Sequence, residues 1–161
     1  MTESVLLLAG CWVLMFRLLS WNVRGLNDIR KRAVIKSFLR DWRCDLMCLQ
    51  EIKLDVVSLS VIRSMWGLSS VGSVFLKAVG ASRGILVMWD KSIFYLVSSS
   101  QGDFSVTCIF QMVEGGFTWA FTGVYDPQAR ADKLRFWEEL QRSRDGWPGP
   151  WCIGGDFNEI L

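Results

Sequence analysis

The sequence of 161 residues contains no histidine. A Ser-His-Asp or Cys-His mechanism, a zinc site with histidine ligands and a histidine general base are therefore excluded within this chain. Acid–base chemistry must instead depend on Asp, Glu, Lys or Tyr side chains, or on metal-bound water.

The sequence also lacks a large excess of either charge. It has 18 Lys and Arg residues against 16 Asp and Glu residues, a formal net charge of +2. Nucleic-acid binding would therefore depend on a local patch of cations. Hydrophobic residues make up 51% and charged residues 21% of the chain, which excludes general disorder. The length suits one domain or part of a larger one.

No Cys-x-x-Cys motif occurs, and the number of cysteines is odd. All but one lie inside apolar runs, and the exception precedes such a run. We therefore interpret the cysteines as reduced, buried, small hydrophobic residues of an intracellular protein. They are Cys11, Cys44, Cys48, Cys108 and Cys152.

The most apolar segment, Val5 to Phe16, is too short to span a membrane, which takes roughly 20 residues. Because the only charge before it is Glu3, a secretory signal is not expected. The same lack of a basic residue argues against lipoprotein cleavage at Leu8-Ala9-Gly10-Cys11. We predict that residues 1–14 are an apolar extension and that residues 15–161 form the domain.

Hydrophobic patterning predicts mixed α/β layers. Buried strands are predicted at Leu18–Trp21 and Leu46–Leu49, and a last strand begins at Trp151. Helices are predicted over residues 29–42, 54–66 and 129–144. Between the last two helices, short apolar runs separated by turn residues predict antiparallel strands. These runs are Val71–Val79, Ile85–Trp89, Phe94–Ser98, Val106–Met112 and Thr118–Tyr125.

Helical spacing also predicts which side chains face the core. In the first helix these are Val34, Ile35, Phe38, Leu39 and Trp42, and in the last they are Leu134, Trp137 and Leu140. A second face of the first helix carries Arg32, Lys36, Arg40 and Arg43. This face is interpreted as solvated, with a phosphate-contacting patch as the alternative.

Four predicted strands lead directly to polar side chains. These residues are Asn22, Glu51, Tyr125 and Asp156, with Asn158 two residues after the last of them. Because strand ends meet at one edge of a sheet, we expect them to line one cleft, with Tyr125 at its rim. Carboxylate and amide oxygens suit a hard cation such as Mg²⁺, and the phenol and amides can donate to a phosphate.

Each of these residues also has a simpler explanation when taken alone. Asn22 fits a turn, Glu51 a solvated strand end, and Tyr125 a cap on a sheet. The segment Gly154-Gly155-Asp156-Phe157-Asn158 fits a tight turn. Only their combination at successive strand ends indicates a site.

The combined motifs resemble the endonuclease/exonuclease/phosphatase superfamily. They occur in family order as Ser20-Trp21-Asn22-Val23-Arg24-Gly25-Leu26, Leu49-Gln50-Glu51, Val124-Tyr125-Asp126-Pro127 and Gly155-Asp156-Phe157-Asn158. The amino-acid sequences of these motifs are most similar to those of the endonuclease domains of plant LINE-type (non-LTR) retrotransposons. The resemblance extends from about Phe16 to Leu161.

The resemblance implies a DNase I-like fold, a four-layered α/β sandwich of two packed β-sheets flanked by helices. It implies that Asn22 and Glu51 hold Mg²⁺, with Mn²⁺ as an alternative ion. Tyr125 would contact the scissile phosphate, and Asp156 would orient or deprotonate the attacking water. Asn158 would hold the phosphate or that aspartate.

Two differences from the family pattern stand out. Asp126 occupies a position where this branch usually has a small residue, and its charge would repel a phosphate unless it faces away. The family domain also ends in a Ser-Asp-His segment that this sequence lacks. We therefore expect a member of the family that is C-terminally truncated, with a sandwich that is incomplete at that end.

The resemblance implies a Mg²⁺-dependent DNA endonuclease of retroelement ancestry. Its partner would be DNA, its compartment intracellular or nuclear, and a full-length parent would add a reverse-transcriptase domain. Without the family's histidine, we predict that this polypeptide does not nick DNA above background. The alternatives are a non-catalytic remnant or weak nucleic-acid binder and, less favoured by the motifs, a small-molecule phosphatase of the same superfamily.

Overall fold

The computed structural model describes residues 5–11, 14–67, 70–79 and 83–157. The strands in this part of the chain are β1 (Val5–Cys11), β2 (Leu14–Asn22), β3 (Leu46–Gln50), β4 (Val71–Leu76), β5 (Ile85–Asp90), β6 (Phe94–Gln101), β7 (Ser105–Met112), β8 (Thr118–Tyr125) and β9 (Trp151–Asp156). The helices are α1 (Ile29–Trp42), α2 (Leu59–Met65) and α3 (Arg130–Asp145).

The strands form two sheets. One has the order β1-β2-β3-β5-β4, and the other has the order β6-β7-β8-β9. Each sheet contains a single parallel pair within the described residues, β2 with β3 in the first and β8 with β9 in the second. The polar residues that follow these paired strands therefore lie at the same edge of their sheet.

The sheets pack face to face through a shared apolar core. Leu18, Cys48 and Val87 of the first sheet lie in one cluster with Cys108 and Phe121 of the second. The outer face of the first sheet packs against α1 and α2, and the outer face of the second packs against α3. The predicted four-layered sandwich of two β-sheets with flanking helices is confirmed.

The ends of α1 follow from local hydrogen bonding. The Asp28 carboxylate accepts from the backbone N–H of Arg30 at 2.8 Å, and Arg43 ends the helix in a left-handed conformation. The predicted bounds of α1 are therefore correct. In contrast, α2 begins at Leu59 and not at residue 54, because the Ser58 hydroxyl caps it by accepting from Val61 N–H at 3.3 Å.

Two predicted core faces need correction. Val34 of α1 is 48% exposed, whereas Ile35 and Leu39 are buried. In α3, Leu134 and Trp137 are exposed, and the face toward the sheet carries Phe136 and Leu140. Buried Glu139 also lies on this face of α3, because its carboxylate binds a loop of the second sheet.

The apolar N-terminal segment has a place in the fold. Strand β1 pairs antiparallel with β2, from Val5 opposite Ser20 to Cys11 opposite Leu14. The domain boundary at residue 15 remains a prediction. Within the described residues, none of the helices has the length and apolar character needed to cross a membrane.

Candidate functional site

The site lies where the two parallel strand pairs end. Asn22 is in register with Gln50, which precedes Glu51, and Tyr125 is in register with Asp156. Because β9 also contacts β2 and β3 across the sandwich, the ends of the two pairs are adjacent. The structure thus brings together Asn22, Glu51, Tyr125 and Asp156.

The amide of Asn22 connects the two carboxylates of the site. Its Nδ2 donates to Glu51 Oε1 at 3.1 Å and to Asp156 Oδ2 at 2.6 Å. Its Oδ1 accepts from the backbone N–H of Arg24 at 3.1 Å, which determines the orientation of the amide. A single buried side chain therefore holds one carboxylate from each sheet.

Glu51 occupies a constrained position just after β3. It is 7% exposed and has a φ angle of +54°, in the left-handed region. The backbone N–H groups of Ile52 and Lys53 donate to the carbonyls of Gly84 and Arg83, at 3.3 and 3.1 Å. These bonds hold the segment that presents the Glu51 carboxylate.

Two cations flank the outer oxygen of Glu51. Arg83 Nη1 lies 3.3 Å and Lys53 Nζ 3.9 Å from Oε2. Both cations are about half exposed at the side chain, 45% and 48%, so they also face solvent beside Glu51. Neither was identified from the sequence, because their approach depends on how the segment after β3 pairs with residues before β5.

Tyr125 is buried and does not lie at the rim of the site as predicted, since only 1% of it is exposed. Burial, the negative charges of Glu51 and Asp156, and a hydrogen bond with Glu51 raise the pKa of its phenol, while Arg83 acts in the opposite direction. Its backbone N–H donates to the carbonyl of Phe104 at 3.0 Å.

The close packing of β9 beside β8 requires the two glycines that precede Asp156. A Cβ atom at Gly155 would lie 2.2 Å from the carbonyl oxygen of Val124, and one at Gly154 would lie 3.0 Å from the Phe121 ring. The glycines therefore allow β9 to pack closely beside β8. The alternative of a tight turn is wrong, because the strand continues to Asp156.

Asp126 does not face solvent. It is completely buried, and its Oδ2 pairs with Lys133 Nζ of α3 at 2.9 Å. Its backbone N–H donates to the carbonyl of Asp156 at 3.0 Å. The extra carboxylate next to Tyr125 is thus compensated by a helix cation. Asn158, the remaining residue predicted for the site, lies outside the described residues.

The donor atoms at the site fit a magnesium ion. Among the described residues, no group of three or more Cys, Asp or Glu side chains is arranged to hold a metal. However, Glu51 Oε1 and Asp156 Oδ2 both lie within hydrogen-bond distance of one nitrogen atom. Mg²⁺ is commonly held by one or two carboxylates, with waters and substrate oxygens completing its coordination.

Comparison with known proteins identifies one matching family. The sequence model described as the endonuclease/exonuclease/phosphatase family matches residues 19–161. No match was found among curated proteins.

Several solved structures share the fold. The human Nocturnin catalytic domain, solved with bound sulfate, has a TM-score of 0.67 at 17% identity, and the match covers 99% of this chain and 68% of that one. A mannosyl-6-phosphatase from Bacteroides thetaiotaomicron has a TM-score of 0.66 at 16% identity, covering 88% and 64%. Humanized D. rerio TDP2 has a TM-score of 0.63 at 19% identity, covering 89% and 63%.

At these identities the likeness shows the fold alone. The chain spans about two thirds of the length of these proteins.

Proposed function

Because the chain belongs to the endonuclease/exonuclease/phosphatase family, we propose that it binds Mg²⁺ and hydrolyses phosphodiesters at the site around Asn22. The observation that supports this most directly is the convergence of Glu51 and Asp156, one from each sheet, on the Asn22 amide. Two carboxylates held this close repel each other, so a divalent cation between them would relieve the repulsion.

The roles proposed for the residues follow the resemblance of their motifs to the family. Glu51, with Asn22, holds the metal ion, for which Mn²⁺ is an alternative. Asp156 orients or deprotonates the attacking water, and Tyr125 acts on the scissile phosphate. Asn158 holds the phosphate or Asp156. A bound metal ion would stabilise the negative charge that develops on the phosphate and on the leaving oxygen.

The proposed partner is DNA, and the proposed origin is a retroelement of the plant LINE type. The amino-acid sequences of the four motifs support DNA as the partner and a retroelement as the origin. The half-exposed cations Lys53 and Arg83 beside Glu51, together with exposed Arg24, suit a polyanion. In a longer parent protein, a reverse-transcriptase domain would accompany this domain in the nucleus. Because the name of one structural neighbour describes a sugar phosphatase, a phosphate monoester is the competing substrate class.

The sequence contains no histidine to protonate a leaving group. We therefore expect an activated diester, whose nitrophenolate leaving group needs no proton, to be hydrolysed, while a DNA phosphodiester is not. The non-catalytic alternative predicts that neither compound is cleaved.

The test is hydrolysis of bis(4-nitrophenyl) phosphate by monomeric protein with Mg²⁺ or Mn²⁺, alongside nicking of supercoiled plasmid. Asp156→Ala should abolish diester hydrolysis, and Asp41→Ala, at an exposed carboxylate of α1, should not. If neither ion supports hydrolysis by the parent chain, the proposed activity is wrong. Plasmid nicking that Asp156→Ala removes would show a complete nuclease. Faster hydrolysis of 4-nitrophenyl phosphate than of the diester would favour the monoester class.

A further inference from the structure

Glu139 is a buried carboxylate outside the site described above. It lies on the inner face of α3 and is 8% exposed. Its Oε2 accepts from the backbone N–H of Asp103 at 2.8 Å, and its Oε1 accepts from the backbone N–H of Phe104 at 3.1 Å. The hydroxyl of Ser105 also donates to Oε1. Together these contacts fix the loop between β6 and β7.

This arrangement needs a carboxylate and needs space for it. A charged group is retained in a protein interior only when donors replace its lost hydration, and three donors do so here. Gly102 provides the space, because a Cβ atom there would lie 2.1 Å from Glu139 Oε1. An amide at position 139 would place an N–H₂ group against backbone N–H donors.

The loop that Glu139 holds also contacts the end of β8, which carries Tyr125. The carbonyl of Phe104 accepts from the backbone N–H of Tyr125 at 3.0 Å. Ser105 is in register with Val124, the residue before that tyrosine. Phe104 and Val124 also share an apolar cluster with Phe136 of α3. Glu139 is therefore two hydrogen bonds away from the end of β8, where the Tyr125 side chain turns toward Glu51.

We propose that Glu139 is a positioning residue for Tyr125, which it acts on through the loop at residues 102–104 and the first residue of β7, Ser105. The catalytic consequence rests on the proposed function, whereas the positioning itself does not. In Glu139→Gln a single acceptor oxygen remains for two loop N–H groups, so we expect the loop to lose a hydrogen bond and the Phe104 carbonyl to move away from Tyr125. The Tyr125 ring then loses its fixed relation to Glu51 and Asp156.

The exchange of the Tyr125 backbone amide with solvent can be measured directly, because the chain contains only two tyrosines. Labelling with [¹⁵N]tyrosine gives two backbone amide signals, from Tyr125 and from Tyr95 of β6. In Glu139→Gln we expect the Tyr125 amide to exchange with solvent about tenfold faster or more, with Tyr95 unchanged. Glu138→Gln, at the exposed neighbouring position of α3, should alter neither rate.

Two outcomes would overturn the proposal. One is a Tyr125 amide that exchanges at the parent rate in folded Glu139→Gln. The other is equal acceleration of both amides, which would show a general loss of stability. If Glu139→Gln does not fold, Ser105→Ala removes one contact and keeps the carboxylate, and the same comparison of the two amides decides the question.

Kinetics provide the second readout. With bis(4-nitrophenyl) phosphate, Glu139→Gln should lower kcat roughly tenfold to a hundredfold while KM stays within about twofold. Suppose that the Tyr125 amide of Glu139→Gln exchanges faster with solvent but that the variant keeps the kcat of the parent. That result would overturn the proposed effect of Glu139 on catalysis. If the parent itself hydrolyses nothing, the proposed function fails, and the amide measurement still decides whether Glu139 positions Tyr125.

Discussion

The Asn22 side chain has no spare donor in this structure. The contacts of Nδ2 with Glu51 and Asp156 use the amide N–H₂ group, and Oδ1 accepts from the backbone N–H of Arg24. Asn22 therefore acts first as the residue that holds two like charges together. Coordination of a metal by Oδ1 would use the second lone pair of an oxygen that already accepts one hydrogen bond.

Glu51→Gln should therefore weaken Mg²⁺ binding at least tenfold. A carboxylate binds a hard cation far better than an amide does, and this one is aligned by Asn22 on one oxygen and by Arg83 on the other. Calorimetric titration measures the affinity, with Glu138→Gln on exposed α3 surface as the control. Equal binding by the parent and Glu51→Gln would exclude this residue from the proposed metal site.

The raised pKa of Tyr125 leads to a prediction at alkaline pH. The pKa is raised from an ordinary value of 10.0, chiefly by burial and then by the charge of Glu51. The buried neutral phenol therefore stabilises the fold fully below about pH 10, and this contribution is lost as the pH rises through the folded-state pKa.

Unfolding in urea at a series of pH values tests this. The parent should lose stability above pH 10 more steeply than Tyr125→Phe, which has no ionisable hydroxyl at position 125. Tyr95→Phe, at an exposed position, should behave like the parent. The buried thiols Cys48 and Cys108, whose pKa values are raised to about 12, titrate in all three proteins and cancel in the comparison. Parallel curves for the parent and Tyr125→Phe would contradict the prediction.

At the level of secondary-structure elements, periodicity predicted the bounds of α1 and all of its buried positions, with Val34 as an error, whereas it predicted the inner face of α3 poorly. Asp28 and the apolar positions Ile35 and Leu39 specify α1 locally. In α3, Phe136 and Leu140 are the apolar pair on the sheet side. An acidic residue between them, Glu139, is typical of a solvated position, and its burial depends on the loop that it binds. No local pattern contains that information.

Lys36 and Arg40 of α1 and the capping residue Arg43 are exposed as predicted, whereas Arg32 is partly buried, contrary to the prediction. The helix starts near the site and runs away from it for 14 residues, or about 20 Å at 1.5 Å per residue. We expect Lys36, Arg40 and Arg43 to be solvated and not to contact substrate. Replacing all three by Ala should leave the salt dependence of DNA binding unchanged. A reduction of the slope by about one unit per residue would instead show phosphate contacts.

At the level of the whole molecule, the site exists only because two sheets pack in one relative position. Strand-end residues could be selected from the sequence, since each follows an apolar run. The burial of Tyr125 and the approach of Arg83 to Glu51 could not, because they depend on contacts between distant segments. The spacing between the sheets is therefore as important for the site as its polar residues.

Gly123 and Cys48 determine that spacing at one point in the core. A Cβ atom at Gly123 would lie 2.7 Å from Cys48 Sγ of the facing sheet and 3.2 Å from Ile85 Cγ2. Gly123→Ala should therefore reduce the free energy of unfolding by about 1–3 kcal/mol. Gly67→Ala is the matched control, because within the described residues its Cβ would meet the end of the flexible Lys36 side chain, Cε at 3.5 Å and Nζ at 3.9 Å.

A double-mutant cycle identifies the cause of that loss. Cys48→Ala removes the sulfur atom that the new methyl group would meet, so the double variant should lose less stability than the two single variants predict together. We expect a coupling free energy of about 0.5–3 kcal/mol from urea unfolding. Strict additivity would mean that the methyl group is accommodated without moving the sheets, and the packing at Gly123 would then not fix the distance between Glu51 and Asp156. If the coupling is found, Gly123→Ala alone should also weaken Mg²⁺ binding, because those two carboxylates come from different sheets.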